Sequence, residues 1–254
     1  DLVYSINGAV KDSSAFSLAL CLNKLLVIHW VGTDVLSAKK HIENGEHNQS
    51  FIDRANHLCE VGWIQKELEE SGITSEVMNF ASFEGDSKAK EVKVDPFYVL
   101  TYITYERAEF YGIKTVINMA NANQDIAFKI AGMDKYDAEL PKNIELLGWI
   151  DNMGELIAKS GVCLRYTKHD GLSSFVLETL AHGKQIIYNN KLDHCLYAAD
   201  ESAVEEYIHG LRDAHARGED ISNEVGKQFI RDKFNKEYVL GSLVKKFESL
   251  FGDK

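Results

Sequence analysis

The chain has 254 residues, a formal net charge of −11 and a pI of about 5.3, a balance that excludes a broad basic face for a phosphate backbone and with it a nucleic-acid partner. A composition of 45% hydrophobic and 26% charged residues excludes disordered and fibrous classes and allows one large α/β domain or two smaller ones, of which two are expected. No apolar run reaches the length of a membrane span, and Cys21, Cys59, Cys163 and Cys195 form no C-x-x-C pair. Buried free thiols in a reducing cytoplasm are therefore expected, in a soluble protein with at most peripheral contact at the inner membrane surface.

The sequence starts at Asp1 rather than Met and enters at once into a strand, Leu2–Ile6, which reads as a processed or partial chain. A nearly all-apolar stretch at 14–22 predicts a buried helix. Leu25–Trp30 is a buried strand, and Val31-Gly32-Thr33-Asp34 after it is an efficient helix start. Thr33 and Asp34 are read either as caps or as site residues. Residues 37–50 predict a solvated helix and loop without metal-like spacing of His41 and His47. A strand at 57–61, a helix at 64–71 ending at Gly72 and a strand at 75–79 complete a β-α-β-α-β-α-β order, the signature of a parallel sheet with crossover helices.

Between 81 and 94 the composition shifts to Gly, Ser, Lys and Glu. That shift places a domain boundary at 88/89, giving domains 1–88 and 89–254. Alternation restarts as a strand at 97–103, followed by a polar loop at 104–109, a helix over 111–122, and strands at Ala127–Ala131 and 144–147. Tyr102, Tyr105, Phe110 and Tyr111 gather about this first loop, as core residues or as stacking surfaces. Asp151 caps a helix reaching Lys159, and strands at 162–164 and 185–188 flank the next loop and helix. Glu201–Ala216 is helical, as is much of 223–251. There Val239, Leu243, Phe247 and Leu250 form an apolar stripe, for packing on the protein's own core or on a membrane surface.

The stretch Arg165-Tyr-Thr-Lys-His-Asp-Gly-Leu-Ser-Ser-Phe-Val-Leu-Glu-Thr-Leu-Ala-His-Gly183 carries the most information. It reads as strand end, polar loop and helix, with Gly171 for a tight turn, Ser173 as N-cap and Gly183 as the residue that closes the helix. Such a junction aims backbone N–H groups at an anion, at the carboxyl end of a parallel strand where ligands bind. No G-x-G-x-x-G follows a predicted strand, which disfavours an oxidoreductase.

Asp170-Gly-Leu-Ser-Ser-Phe-Val-Leu-Glu178-Thr-Leu-Ala-His-Gly183 resembles the retaining glycosyltransferases of the two-domain GT-B type, particularly the group-one, family-four set. Asn143-Ile-Glu-Leu-Leu-Gly-Trp149 and Val27-Ile-His-Trp-Val-Gly-Thr-Asp34 resemble two further stretches of that family. The resemblance spans nearly the whole chain. It implies an α/β, GT-B-like fold of two Rossmann-like domains with parallel sheets facing across a cleft. The first, acceptor-side domain looks shortened, and the final helix packs back towards it. Glu178 matches the acid that hydrogen-bonds the nucleotide ribose, and the turn of Gly171, Leu172, Ser173 and Ser174 matches the segment near the phosphates and sugar. Asp170, on the donor sugar, stands where the family has Glu. Arg107 lies in the loop that carries the family's phosphate-binding Arg, but Tyr111 stands where a Lys precedes Gly112. Lys114, Arg165 or Lys168 is left to compensate. His29 would face the cleft near the transferring sugar, or serve structurally; His169 is either a ligand contact or a loop-orienting residue.

The resemblance thus implies a retaining hexosyltransferase-like enzyme, of the kind used in polysaccharide biosynthesis. It would move a sugar from a UDP- or GDP-linked donor to a glycan, lipid or small-molecule acceptor. No cofactor beyond that donor substrate is expected. Without an Asp-x-Asp motif no metal is expected either, since a helix N-terminus and an arginine can stabilise the leaving diphosphate. A nucleotide-sugar epimerase of the same fold and an inactive nucleotide-sugar-binding module are the alternatives.

Overall fold

The computed structural model describes residues 1–83 and 96–252. Its contacts divide the chain into two units. Unit 1 comprises Asp1–Ser82, His169–Leu172 and the segment from Lys236 onward, and unit 2 comprises Phe83–Lys168 and Ser173–Asn235. The expected boundary at 88/89 lies outside the described residues.

Unit 1 contains a parallel sheet of β1 (Leu2–Ile6), β2 (Leu25–Trp30), β3 (Asn56–Cys59) and β4 (Glu76–Val77), in that spatial order. Helices α1 (Ser14–Cys21), α2 (Thr33–Glu43), α3 (Gln49–Arg54) and α4 (Gly62–Glu70) connect the strands. Leu26, Val27, Ile28 and Trp30 are each 0% exposed, which is why β2 reads as an unbroken apolar run rather than an alternating one. The expected fourth strand shrinks to two residues at the sheet edge. Within 37–50, α2 is followed by a separate helix, α3, which the sequence reading did not separate; Asn48 caps it by accepting from Ser50 N at 3.0 Å, and Phe51 anchors it in the core.

The expectation of a buried helix at 14–22 is corrected. Helix α1, capped by Ser13, buries Phe16, Ala19 and Leu20, whereas Leu18 and Leu22 remain 60% and 58% exposed. A helix of this length packs one face on the sheet, and the apolar residues opposite that face stay in solvent. Cys21 is exposed as well, against the expected burial; Cys59 and Cys163 are buried, and burial pushes the Cys163 thiol up to about 11.

Unit 2 contains a six-stranded parallel sheet ordered β10-β9-β8-β5-β6-β7. Its strands are β5 (Tyr98–Tyr102), β6 (Ala127–Ala131), β7 (Ile144–Gly148), β8 (Val162–Arg165), β9 (Ile186–Tyr188) and β10 (Leu196–Tyr197). The last of these was not foreseen from the sequence. Helices α5 (Ile113–Ala122), α6 (Met153–Lys159), α7 (Ser174–Ala181), α8 (Glu201–Ala216) and α9 (Glu224–Lys233) complete the unit. Val99, Ile113, Val116, Phe128, Ile130, Leu164 and Ile208 share one apolar core. Helix α6 is capped by Asn152 rather than Asp151.

The expected helical stretch at 223–251 divides after Lys233, and α10 (Lys236–Gly252) belongs to unit 1. Its stripe of Val239, Leu243, Phe247 and Leu250 packs with Val27 and Leu58. Phe247 meets Tyr4 edge-on at 5.1 Å, and Lys246 pairs with Glu76. The stripe is therefore occupied by the sheet of unit 1. No helix among the described residues is long and apolar enough to cross a membrane.

Gly112, the residue before α5, has φ +81°, and a Cβ there would stand 1.8 Å from the carbonyl oxygen of Tyr166. Left-handed backbone and steric overlap both oppose any side chain, so Gly112→Ala should destabilise the protein by about 2–4 kcal/mol. Thermal unfolding checks this, and an unchanged midpoint would contradict the packing of the two loops.

Candidate functional site: a basic cluster at the reversal of strand order

In unit 2 the chain leaves β5 towards β6 and β7. It returns through α6 to β8, beside β5, and leaves β8 in the opposite direction, towards β9 and β10. The carboxyl ends of β5 and β8 thus form a topological switch point, the usual ligand position in an open parallel sheet. Arg165 ends β8 and is 6% exposed. Its Nη1 donates to the Tyr102 carbonyl at the end of β5 over 3.3 Å, and its guanidinium carbon lies 4.5 Å from the centroid of the Tyr111 ring. Arg107, from a 3₁₀ turn at Tyr105–Arg107, reaches the same ring at 5.3 Å and that of Phe110 at 4.5 Å. The structure therefore brings together Arg107, Arg165 and the mismatched Tyr111. Lys114 turns away into an ion pair with Glu109 at 3.2 Å and is 78% exposed.

Beside this cluster lies an open bowl of about 730 Å³ lined by Tyr105, Arg107, Glu109, Tyr136, Asp137 and Lys168, among others. Its rim is tied by two hydrogen bonds, from the Tyr105 hydroxyl to Asp137 at 2.8 Å and from the Tyr136 hydroxyl to Glu109 at 2.9 Å. Lys168 N donates to the Phe110 carbonyl at 2.9 Å and fixes the loop after β8 against the loop after β5. Tyr136 and Asp137 were not singled out from the sequence, where they lie in a stretch with no motif.

Glu178 lies on α7, half-buried, and its carboxylate makes no hydrogen bond or ion pair among the described residues. Burial raises its pKa, with His182 acting weakly the other way. Such a carboxylate is poised to accept from hydroxyl donors. Ser173 holds the N-cap position, as expected, but its side chain makes no capping bond and leaves first-turn N–H groups of α7 unmet by that side chain.

The remaining candidates belong to unit 1. His29 is 0% exposed and meets the rings of Tyr4 and Phe80 edge-on, with Nδ1 2.8 Å from the Tyr4 hydroxyl. Burial lowers its pKa to about 4, against small opposing effects of the Met78 backbone and Asp34. The expected cleft-facing role is thereby corrected: a neutral ring sealed in the core has no open face for a substrate. Asp34 accepts from the backbone N–H groups of Gly8, Val31, Gly32 and Val35 at 2.6–3.3 Å, tying together the loops after β1 and β2.

The segment from His169 to Leu172 is held by side chains on or just before α4. Trp63 Nε1 donates to the Asp170 carbonyl at 2.9 Å, and Glu67 meets His169 Nε2 at 2.8 Å. Glu60 accepts from Leu172 N at 3.4 Å. Gly171 lies in a bend of the loop, and a Cβ there would lie 1.9 Å from the Val31 carbonyl oxygen, so close approach of backbone rather than a positive φ requires the glycine. Glu60, Trp63 and Glu67 escaped the sequence reading; the one available signal was a charged Glu60 directly after the apolar end of a strand.

With two parallel α/β sheets and a basic cluster at a switch point, the chain has an α/β, GT-B-like fold. Neither a protein-family model nor a curated protein matches it, but solved structures do. Sucrose-phosphate synthase from Thermosynechococcus elongatus is similar at 12% identity and a TM-score of 0.74, over 100% of this chain and 74% of that one. HepE from Anabaena, solved with UDP-glucose, matches at 12% identity and 0.69, over 98% and 79%. The pneumococcal O-GlcNAc transferase GtfA, solved with UDP and GlcNAc, matches at 13% identity and 0.65. The match covers 94% of this chain but only 54% of GtfA. At such identities the likeness is one of fold.

Glu60 is 4% exposed, and its pKa is pushed up to about 8 by burial first and by Asp34 and Asp170 second, against the Leu172 hydrogen bond. The folded state thus holds a proton that the unfolded chain, titrating near 4.5, releases earlier. Stability should therefore fall as pH rises from about 4.5 to 8, and Glu60→Gln should flatten that slope. Midpoints of urea unfolding across this range test it, with parallel profiles as the contrary result.

Proposed function

We propose that this protein is a glycosyltransferase that takes a sugar from a nucleotide-diphosphate donor, retains its anomeric configuration and works without a metal ion. One observation carries the reading: a half-buried carboxylate, Glu178, without a hydrogen-bond or ion-pair partner among the described residues, on the helix that follows β8, in the unit whose switch point holds Arg107 and Arg165. Glu178 would accept from the donor ribose. The two arginines would hold the diphosphate, with the 171–174 turn (Gly171, Leu172, Ser173, Ser174) near the phosphates and Asp170 on the sugar. As the bond from the anomeric carbon to the phosphate oxygen breaks, its electron pair passes to the diphosphate. Fixed positive charge there stabilises the transition state more than the bound substrate.

The UDP-bound forms of HepE and GtfA make UDP-linked sugars the first donors to test, with GDP-linked sugars second. The acceptor would be a glycan, a lipid or a small molecule, and a cytoplasmic setting accords with a diffusible nucleotide sugar. His29 has no role in transfer in this proposal, on account of its burial.

Glu178→Ala should weaken UDP-sugar binding by about tenfold or more, the usual effect of losing a hydrogen bond to a charged group. Isothermal calorimetry measures it. Equal affinities for variant and wild type would remove Glu178 from the site, and turnover of the sugar without acceptor would indicate an epimerase instead.

A further inference from the structure

We infer that the open bowl of unit 2 is a binding site for a short neutral glycan, held by the tyrosine–carboxylate pairs of its rim. The inference does not rest on the donor reading above. At about 730 Å³ the bowl has the size of cavities that take small ligands. It lies between the loop that follows β5 and the connection that follows β6. Tyr105 of the first donates to Asp137 of the second at 2.8 Å, and Tyr136 of the second donates to Glu109 of the first at 2.9 Å. The two loops are thus pinned to each other in both senses, and the concavity is built before any ligand arrives.

The lining selects against a charge of either sign. Glu106, Glu109 and Asp137 oppose an anion, and Arg107 and Lys168 oppose a cation. An apolar ligand would strip water from all of these groups and put nothing in its place. A neutral polyol answers both signs, because each hydroxyl donates and accepts. The rim keeps capacity for it: an ionised carboxylate accepts at both oxygens, and a phenol oxygen that donates to one can still accept from a ligand hydroxyl. Glu109 is held below the usual carboxylate range by the Tyr136 hydrogen bond first and by Lys114 second, so it stays an acceptor. Tyr105, Phe110 and Tyr136 add ring surface for the C–H faces of a sugar. Lys135 lies over the Tyr105 ring and Arg107 over the Phe110 ring, 4.9 and 4.5 Å from the centroids, which steadies both rings. Because the bowl is open, a chain longer than the bowl can run out of it, which suits an oligosaccharide better than an enclosed metabolite.

The test is calorimetry with maltotriose, cellotriose and tri-N-acetylchitotriose as neutral probes and trigalacturonate as the acidic one. At least one neutral trisaccharide should bind, about tenfold or more tighter than trigalacturonate, and Asp137→Ala should weaken it by about tenfold. Asp137 is exposed, so this variant is expected to fold. Tyr136→Phe keeps the ring, removes the hydroxyl and should weaken the same sugar. Binding of none of the three neutral probes, tighter binding of trigalacturonate, or equal affinity in wild type and both variants would overturn the inference. A wild type that binds a trisaccharide in this pattern but no UDP supports the glycan site and removes the donor reading instead.

Discussion

β5 and β8 lie side by side and parallel, and the chain leaves their carboxyl ends in opposite directions. Two crossover loops therefore diverge from one line, and Tyr102, Arg165, Tyr111 and Arg107 gather at their bases. The requirement that both loops pass the same point explains the tightest backbone constraint in unit 2, the Tyr166 carbonyl against Gly112. It also explains why a strand-end arginine stacks on the ring of a residue from the other loop. Loop conformation, charge placement and the open bowl next to them all depend on that one reversal.

Unit 1 solves a different problem with different means. Its loops are stitched by carboxylates rather than stacked by cations: Asp34 gathers four backbone N–H groups, and Glu60 and Glu67 hold residues 172 and 169. A buried acid is accommodated either by gathering N–H donors, as Asp34 does, or by holding its proton to higher pH, as Glu60 does with its pKa pushed up to about 8 by burial. The chain's net negative charge is thus in part structural at its loops, while positive charge is concentrated where an anionic ligand is proposed to bind.

Where hydrophobic pattern alone decides an element, the sequence suffices. β1, β2, β6 and α8 have the bounds that their apolar runs and caps imply. It fails where the deciding partner is distant in the chain. α1 is apolar all round, yet only contact with β2 determines which residues are buried. β4 and β10 are two residues long, too short for any periodicity to appear. The turn after β8, the helix that carries Glu178 and the strand-end position of Arg165 were legible because motif and strand boundary coincide. The grip of Trp63 and Glu67 on residues more than a hundred positions away was not, since nothing local in α4 differs from a solvated helix. His29 shows the opposite error: a strand-end position suggested access, and packing of Tyr4 and Phe80 removed it.

α10 completes the apolar core of unit 1 although all of unit 2 precedes it in the chain. During synthesis the four strands of this sheet emerge before unit 2, but the helix that covers Val27 and Leu58 emerges only after it. Unit 2, nearly continuous in sequence, can close its own core while the earlier sheet still waits for its cover. Order of translation and order of completion are therefore reversed between the two units, and the sheet that is translated before unit 2 spends longer with apolar surface exposed.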